Sequence, residues 1–260
     1  MNPILLKLGF LEIRWYSVFI LIAFTIGYLL VSNRCKKVGV SSTFVTDLCF
    51  YLIIFCILGA RIYYCIFNFN YYSKNLIDIF KIWEGGLAIH GGIIGGIITI
   101  YFFTRKKEIN LLNLLDLFAP ALVLGQAIGR WGNFFNMEAY GPEVALSTLK
   151  NLHIPKFIID GMYINRVYHH PTFLYESIGC LIIFIIIMLI RNNKKIKVGQ
   201  VSSIYFILYG IIRFFIESLR QDSLMFLNLK MAQVISILMI VIGLYLFIRP
   251  YIKEEFEIKS

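Results

Sequence analysis

Residues 129–138, GRWGNFFNME, carry a fixed cation, two carboxamides and a carboxylate at the end of a strongly apolar segment. A charged side chain at membrane depth costs a few kcal/mol, so such residues usually face a polar cavity and have a function there. Gly125, Gly129 and Gly132 remove side chains along this segment, which lets another backbone or a ligand approach closely. The alternative interpretation is a tightly packed helix with one structural ion pair.

A second polar group recurs at helical spacing in a later apolar segment and comprises Tyr209, Arg213, Glu217 and Arg220. At i, i+4, i+8 and i+11 these side chains project from one helix face. Arg213 and Glu217 could simply neutralise each other. With Arg61, Arg130 and Arg220 included, however, the cations outnumber what that pairing needs. Guanidinium groups hold phosphate oxygens bidentately and stay charged, so the pattern suits a phosphate-bearing ligand.

Two segments marked by glycine or proline add further candidates. His90 lies in EGGLAIHGG, residues 84–92, and is the one histidine within an apolar stretch. Such a histidine can be purely structural, but the glycine pairs beside it create a groove for an acyl chain or another helix. Residues 170–176, HPTFLYE, predict a helix start, since Pro171 suits the first helical position and Glu176 would meet a favourable helix dipole.

The composition is that of a membrane protein. Of 260 residues, 59% are hydrophobic and only 15% are charged, so the net charge of +10 cannot form a nucleic-acid-binding surface on a soluble domain. The five cysteines are scattered, mostly in apolar runs, without metal-ligand spacing, and we interpret them as buried hydrophobic residues. We therefore expect neither a metal site nor a nucleic-acid partner.

Seven hydrophobic stretches have about the length that a bilayer-crossing helix needs. We place them at Trp15–Val31, Val45–Phe67, Leu87–Thr104, Leu114–Phe135, Thr172–Ile190, Val201–Leu219 and Met231–Ile248. Basic clusters follow the first, third, fifth and seventh stretches, and the positive-inside rule assigns that side to the cytoplasm. The expected fold is an all-α integral membrane protein, with residues 1–260 forming one membrane domain of seven transmembrane helices. Its N-terminus would lie outside and its C-terminus in the cytoplasm.

Two connections on the predicted outer side are long enough to have structure of their own. Residues 68–86 contain an interfacial mix of aromatic and charged residues, and we expect an arm along the membrane surface. Residues 137–170 are expected to form a small external head segment, with Gly141-Pro142 as a turn signal. Any chemistry would therefore occur in the membrane or at its outer face.

The motif GRWGNFFNMEAYG, residues 129–141, resembles position by position the signature of bacterial prolipoprotein diacylglyceryl transferases. The chain also resembles further segments of that family, in the same order, at residues 13–16, 84–92, 170–176 and 209–220. The resemblance therefore covers nearly the whole chain.

The chain departs from the family pattern in three places, and none of them is at a candidate site residue. Ala88 stands where the family usually has a serine, and Phe173 where it usually has a glutamine. Gln221 and Asp222 stand where a proline-aspartate pair usually follows the arginine. The first two changes remove hydrogen-bonding groups, and the third could alter the outer loop.

The resemblance implies an enzyme of the bacterial cell (inner) membrane. Such an enzyme transfers the sn-1,2-diacylglyceryl group of phosphatidylglycerol to the lipobox cysteine thiol in the signal peptide of a prolipoprotein. A thioether forms and glycerol 1-phosphate leaves, in the first step of lipoprotein maturation. The partners are phosphatidylglycerol, the prolipoprotein and the surrounding membrane lipids, and no cofactor is implied.

The resemblance also implies roles for the polar residues. Arg130 and Arg213 would bind the head group and stabilise the charge that develops on the phosphate, an effect worth on the order of 3 kcal/mol per donor. His90 would act as the base, because a thiol is a poor nucleophile until it is deprotonated. The residues expected to bind or orient the lipid are Tyr16, Arg130, Asn133, Asn136, Glu138, Tyr209 and Glu217, the last by holding Arg213 in place.

Two other classes of protein share some of these features. A transporter of a phosphate-bearing lipid or organic anion could use the same arginines, and a structural membrane protein could use the same glycines. A transporter needs access from both sides and therefore polar residues toward the cytoplasmic half. The polar residues fall in the predicted outer half, which favours the transferase.

Overall fold

A computed structural model describes residues 2–8, 11–38, 41–221, 223, 225–226 and 229–249, and most of these residues are helical. The helices are α1 (Trp15–Lys37), α2 (Ser42–Phe67), α3 (Phe69–Tyr72), α4 (Ile89–Lys106), α5 (Leu111–Asn136), α6 (Leu146–Asn151), α7 (Lys156–Gly161), α8 (Thr172–Ile190), α9 (Gln200–Leu219) and α10 (Met231–Ile248). Short antiparallel strand pairs are β1 (Ile4–Leu8) with β2 (Leu11–Arg14), β3 (Tyr163–Ile164) with β4 (Val167–Tyr168), and β5 (Met225–Phe226) with β6 (Leu229–Lys230). Two 3-10 turns cover Leu76–Phe80 and Ile82–Glu84.

Six of the long helices are apolar enough to cross a membrane: α1, α2, α5, α8, α9 and α10. They correspond to six of the seven predicted stretches, so the expectation of an all-α integral membrane protein is confirmed. The remaining stretch forms α4, which has 18 residues. Its glycines and its basic last turn dilute the hydropathy, so a seventh span stays a prediction, as does the orientation.

The described chain forms two compact units. One contains residues 32–114 and the other contains the described residues up to 31 and from 115 onward. In the 32–114 unit, α2 and α4 pack as an antiparallel hairpin through glycines. A Cβ added to Gly59 or Gly91 would collide with the backbone of the opposite glycine, and one at Gly95 would collide with Phe55 O. The glycine pairs beside His90 therefore bring two helices together, which is one of the two uses the sequence indicated.

Arg61 of α2 holds the connection between α3 and α4. Its Nε donates to Ile79 O at 2.8 Å, and its Nη1 donates to the carbonyls of Gly85 at 2.7 Å and Gly86 at 2.9 Å. Its Nη2 donates to the carbonyls of Asp78 and Lys81. Counting Arg61 among the cations available to a phosphate ligand was wrong, because its guanidinium donors are occupied by backbone carbonyls.

The predicted arm, residues 68–86, is built from α3 and the two 3-10 turns and exposes large apolar side chains. Trp83, Phe80 and Ile77 are about three-quarters exposed. Asp78 is held by Lys81 and Tyr71, and hydrogen bonds from these two groups lower the pKa of its carboxyl. The same bond to Asp78 raises the pKa of the Tyr71 phenol. An interfacial position for this arm stays a prediction.

Three polar contacts tie α5, α8 and α9 together in the larger unit. At one end, Asp116 of α5 accepts hydrogen bonds from Gly199 N at 2.6 Å and Ser202 N at 2.7 Å, so it caps the start of α9. Farther along, Gln126 Nε2 of α5 donates to the hydroxyl of Tyr205 in α9 at 2.9 Å. Ser177 of α8 donates to the carbonyl of Ala127 in α5 at 2.8 Å. These bonds help to set the register of three helices that also pack through apolar side chains.

The segment 137–170 packs onto the ends of α5 and α8. Phe134 and Phe173 stack with ring centroids 4.6 Å apart and are buried among apolar side chains of α6 and α7. Thr172 donates its hydroxyl to the carbonyl of Ala139. His169 Nδ1 lies 2.9 Å from Gly141 O, which ties the end of the segment to its beginning. Phe173, one of the departures from the family pattern, therefore contributes to an apolar core.

Candidate functional site

The centre of the polar network is Glu176, in the second turn of α8, whose side chain is 2% exposed. Arg130 Nη2 lies 2.8 Å from Glu176 Oε1, and Arg213 Nη1 lies 3.1 Å from Glu176 Oε2. Tyr209 donates its hydroxyl to Oε1 at 3.2 Å. One buried carboxylate thus joins α5, α8 and α9, and it holds the two arginines that the sequence singled out.

The face of α9 continues this network. Arg213 Nη2 lies 2.7 Å from Glu217 Oε2, and Arg220 Nε lies 4.0 Å from the same oxygen. The predicted Arg213–Glu217 pair is therefore present, but Arg213 also contacts Glu176. Arg130, Arg213 and Arg220 face Glu176 and Glu217, so three cations and two anions leave one net positive charge.

The signature segment forms a hydrogen-bonded relay at the end of α5. Arg130 Nη1 donates to Asn133 Oδ1 at 3.3 Å, and Asn133 Nδ2 donates to Glu138 Oε1 at 2.8 Å. Asn136 Nδ2 reaches the same Glu138 oxygen at 3.4 Å. Two buried atoms of this relay, Nε of Arg130 and Oδ1 of Asn136, have no hydrogen-bond partner among the described residues. The relay therefore presents an unused donor and an unused acceptor.

A left-handed turn places Glu138 beside the last turn of α5. Met137 has φ 53° and Ala139 has φ 59°, a region that residues other than glycine rarely occupy. Met137 N bonds to Phe134 O and Glu138 N bonds to Asn133 O, so two of the last four carbonyls of the helix are satisfied. Strained conformations of this kind persist where the surroundings hold them, and the Thr172 bond to Ala139 O does so here.

Tyr16 lies in the first turn of α1 and packs against α5. A Cβ at Gly132 would come within 2.5 Å of Tyr16 Cδ2, so this glycine makes room for the tyrosine ring. Beside it, Trp15 stacks on Phe135 with ring centroids 4.6 Å apart. In the described part of the chain the Tyr16 hydroxyl forms no hydrogen bond, so its contact with the signature segment is steric, and an orienting role stays a prediction.

His90 belongs to the 32–114 unit, where it follows the first residue of α4. Its ring is exposed and its centroid lies 6.0 Å from that of Tyr63. The chain leading to it is fixed at two points, because Ala88 N bonds to Ala60 O at 3.1 Å and Arg61 holds the carbonyls of Gly85 and Gly86. The role of His90 as a base stays a prediction.

Glu176 is the residue that the sequence reasoning missed. Interpreting it as a helix-start residue in a favourable dipole was insufficient, because the side chain is buried and pairs with arginines of two other helices. A usable signal was present, since α8 has no basic residue in its apolar span. A lone carboxylate in such a span requires a cation from another helix.

Residues 3–249 match the family model described as prolipoprotein diacylglyceryl transferase. The chain belongs to the prolipoprotein diacylglyceryl transferase family. It is 46% identical over 260 residues to the phosphatidylglycerol–prolipoprotein diacylglyceryl transferase of Clostridium novyi, covering all of both chains. It is also 46% identical over 255 residues to the enzyme of that name from Staphylococcus haemolyticus, covering 98% of this chain and 90% of the relative.

This membership confirms the resemblance seen in residues 129–141. Together with the six apolar helices, it makes the chain a transferase and a multi-pass membrane protein. The Glu176 network and the relay from Arg130 to Glu138 are thus features of a member of this family. Both lie in parts of the chain that the family model covers.

Proposed function

We propose that the chain transfers the sn-1,2-diacylglyceryl group from phosphatidylglycerol to the lipobox cysteine thiol of prolipoproteins. The thiol sulfur attacks the glyceryl carbon that bears the phosphate ester, so a C–S bond forms and a C–O bond breaks. The electron pair of that bond leaves with glycerol 1-phosphate, and the thiol proton passes to a base. The observation that carries this proposal is the placement of Arg130 and Arg213 on opposite oxygens of buried Glu176.

The two arginines are suited to the leaving group. A phosphodiester becomes a phosphate monoester, so negative charge grows on its oxygens during the reaction. Arg130 keeps an unpaired Nε–H, and the network carries one net positive charge that an anionic head group would balance. Glu176 orients both guanidinium forks beforehand, so they need little reorganisation as charge develops.

The relay beside Arg130 supplies groups for the glycerol head. Hydroxyl groups both donate and accept hydrogen bonds. The relay offers the carboxamides of Asn133 and Asn136, which can also do both, together with the Glu138 carboxylate, which accepts. Asn136 Oδ1 is an unused acceptor for such a hydroxyl. We therefore assign phosphate recognition to Arg130 and Arg213 and head-group orientation to Asn133, Asn136 and Glu138.

His90 is the proposed base, since it opens α4 with an exposed ring. Its helix begins where Arg61 fixes the preceding glycines, so its backbone position is well held. Neutral imidazole can accept the thiol proton near neutral pH.

The proposed orientation has seven spans, counting α4, with the N-terminus outside and the C-terminus in the cytoplasm. In the larger unit, the Glu176 network lies at the end of α8 and α9 opposite the basic connection that contains Lys194, Lys195 and Lys197. That arrangement supports an outward-facing site, because basic connections are retained in the cytoplasm. A transporter would need a polar path at the other end, where Asp116 already caps α9.

The test is a transfer assay with the purified protein in detergent. Phosphatidylglycerol labelled in an acyl chain is mixed with a lipobox peptide, and the thioether-linked product is separated by mass. We expect labelled peptide together with free glycerol 1-phosphate in equal amounts. A peptide whose cysteine is replaced by serine is the matched control and should remain unlabelled. Labelling of neither peptide, with a folded protein, would contradict the proposal.

A further inference from the structure

A cavity that shares no residue with the Glu176 network lies on the α2–α4 hairpin. Its volume is about 520 Å³. Its walls are apolar and come from Tyr51 and Phe55 of α2 and from Ile98 and Phe102 of α4. All four wall side chains are between 42% and 66% exposed, so the groove opens to the surroundings of the hairpin.

The residues through which α2 and α4 meet change along the length of the hairpin. Near the His90 end, glycines let the two backbones touch, as at Gly95 against Phe55. Toward the other end, Phe103 is buried between the rings of Phe44 and Tyr51, at centroid distances of 5.2 and 6.3 Å. Phe103 lines the groove and is buried.

The mouth of the groove carries charge. Lys106 and Lys107 line it together with Asp47, and all three residues are exposed. Across the described ranges of the chain, no carboxylate pairs with either lysine and no cation pairs with Asp47. The mouth therefore has one net positive charge, and the neighbouring Arg105 and Glu108 carry opposite charges that leave this value unchanged.

We propose that this groove binds one anionic phospholipid. An acyl chain lies against Tyr51, Phe55 and Phe102, and the phosphate lies between the ammonium groups of Lys106 and Lys107. The walls belong to α2 and to its partner α4. Since α2 has the length and composition of a membrane-crossing helix, the groove is surrounded by lipid. A zwitterionic head group carries a cationic amine, which the two lysines would repel. The groove therefore favours a lipid with net negative charge.

The test compares lipid binding by three proteins purified in detergent. Phosphatidylglycerol or phosphatidylcholine is titrated in, and bound lipids are counted by native mass spectrometry, with thermal stability followed in parallel. The double variant Lys106→Gln, Lys107→Gln should lose one bound phosphatidylglycerol, with half-saturation of that site weakened roughly tenfold. The matched control, Lys194→Gln with Lys195→Gln, removes two exposed lysines from another connection and should bind like the wild type.

A third variant tests the groove itself. Ile98→Trp fills the cavity without changing charge, at a side chain that is 50% exposed and therefore tolerant. It should also lose one bound phosphatidylglycerol. Because the readout is binding, the result does not depend on the transfer reaction, and the lysine variant should keep transferase activity.

Three results would overturn the proposal. Equal loss from both lysine pairs would mean a general surface attraction rather than a site. Equal binding of phosphatidylcholine by the wild type would remove the head-group selection. Full binding by Ile98→Trp would show that no acyl chain occupies the groove.

Discussion

Nη2 of Arg130 lies 2.8 Å from Oε1 of Glu176, although the two residues belong to different membrane helices. The carboxylate is almost completely buried, and its second oxygen accepts from Arg213. A buried carboxylate shared by two guanidinium groups fixes both forks in position, whereas an exposed pair would leave them mobile. The relationship explains how two arginines can stay oriented inside a membrane before any lipid phosphate arrives.

Replacing Glu176 should distinguish the orientation of the two arginines from their electrostatic attraction for phosphatidylglycerol. Glu176→Gln keeps the side-chain shape but removes one negative charge, so the local net charge rises from one positive to two. We expect kcat to fall roughly tenfold or more, while KM for phosphatidylglycerol stays the same or decreases. Steady-state kinetics with varied lipid fraction measure both quantities.

Two comparisons make the Glu176 result interpretable. Glu176→Ala should also lower the free energy of unfolding by about 3 kcal/mol, because two buried guanidinium groups lose their partner. Glu12→Gln breaks the exposed pair with Lys7 and should change neither activity nor stability. A Glu176→Gln enzyme with wild-type kcat would contradict the positioning role.

Arg130 should tolerate no substitution that loses its planar fork. Arg130→Lys keeps the charge but cannot contact Glu176, Asn133 and a phosphate together, so most activity should be lost. Arg130→Ala should reduce turnover roughly 100-fold or more. The transfer assay measures both, with Arg166→Lys, an exposed arginine between β3 and β4, as the matched control. A near-wild-type rate for Arg130→Lys would exclude bidentate recognition by this residue.

His90→Ala should abolish turnover near neutral pH if His90 is the base. The loss should be partly recovered at higher pH, because the substrate thiol, with an unperturbed pKa of roughly 8.5, then ionises without help. The measurement is a pH–rate profile beside that of the wild type, with thermal stability checked at each pH. His153→Asn, at an exposed histidine outside the site, is the control. A deficit that is constant across pH would assign His90 a structural role instead.

Asp116 should matter for stability rather than for chemistry. Asp116→Ala leaves the amides of Gly199 and Ser202 without their acceptor and should lower the free energy of unfolding by about 2 kcal/mol. Thermal denaturation in detergent checks this value, and Asp160→Ala, at an exposed carboxylate in α7, should have no effect. Because Asp116 contacts the start of α9 and Arg213 lies near its other end, kcat measured on the folded fraction should fall only slightly. Unchanged stability would show that the cap contributes little.

Single cysteine tags test the orientation. In a variant without its five native cysteines, an impermeant thiol reagent should label Asn75→Cys and Lys156→Cys from outside intact cells. Tags at Lys36, Lys106 and Lys195 should react only after permeabilisation, because they belong to the basic clusters that the proposed topology places in the cytoplasm. Labelling of Lys106→Cys from outside would contradict the proposed topology, in which α4 is a span that ends in the cytoplasm.

Much of the helical architecture follows from the sequence alone, because a long apolar run can satisfy its backbone in lipid only as a helix. Six predicted stretches became helices that meet the length and hydropathy of a membrane span. The Arg213–Glu217 pair was also accessible, since its partners share one helix and their spacing places them together. The signature at residues 129–141 indicated the family, and the match over residues 3–249 confirmed it.

Only the tertiary structure decided where the other charges go. Arg61 lies in a membrane helix like Arg130, yet its donors hold backbone carbonyls of the chain that follows, and no sequence periodicity records that contact. Glu176 is 46 positions from Arg130 and 37 from Arg213, so their meeting depends on how three helices pack and in which register. Hydropathy and spacing describe one helix at a time, whereas a buried ion network is formed between helices.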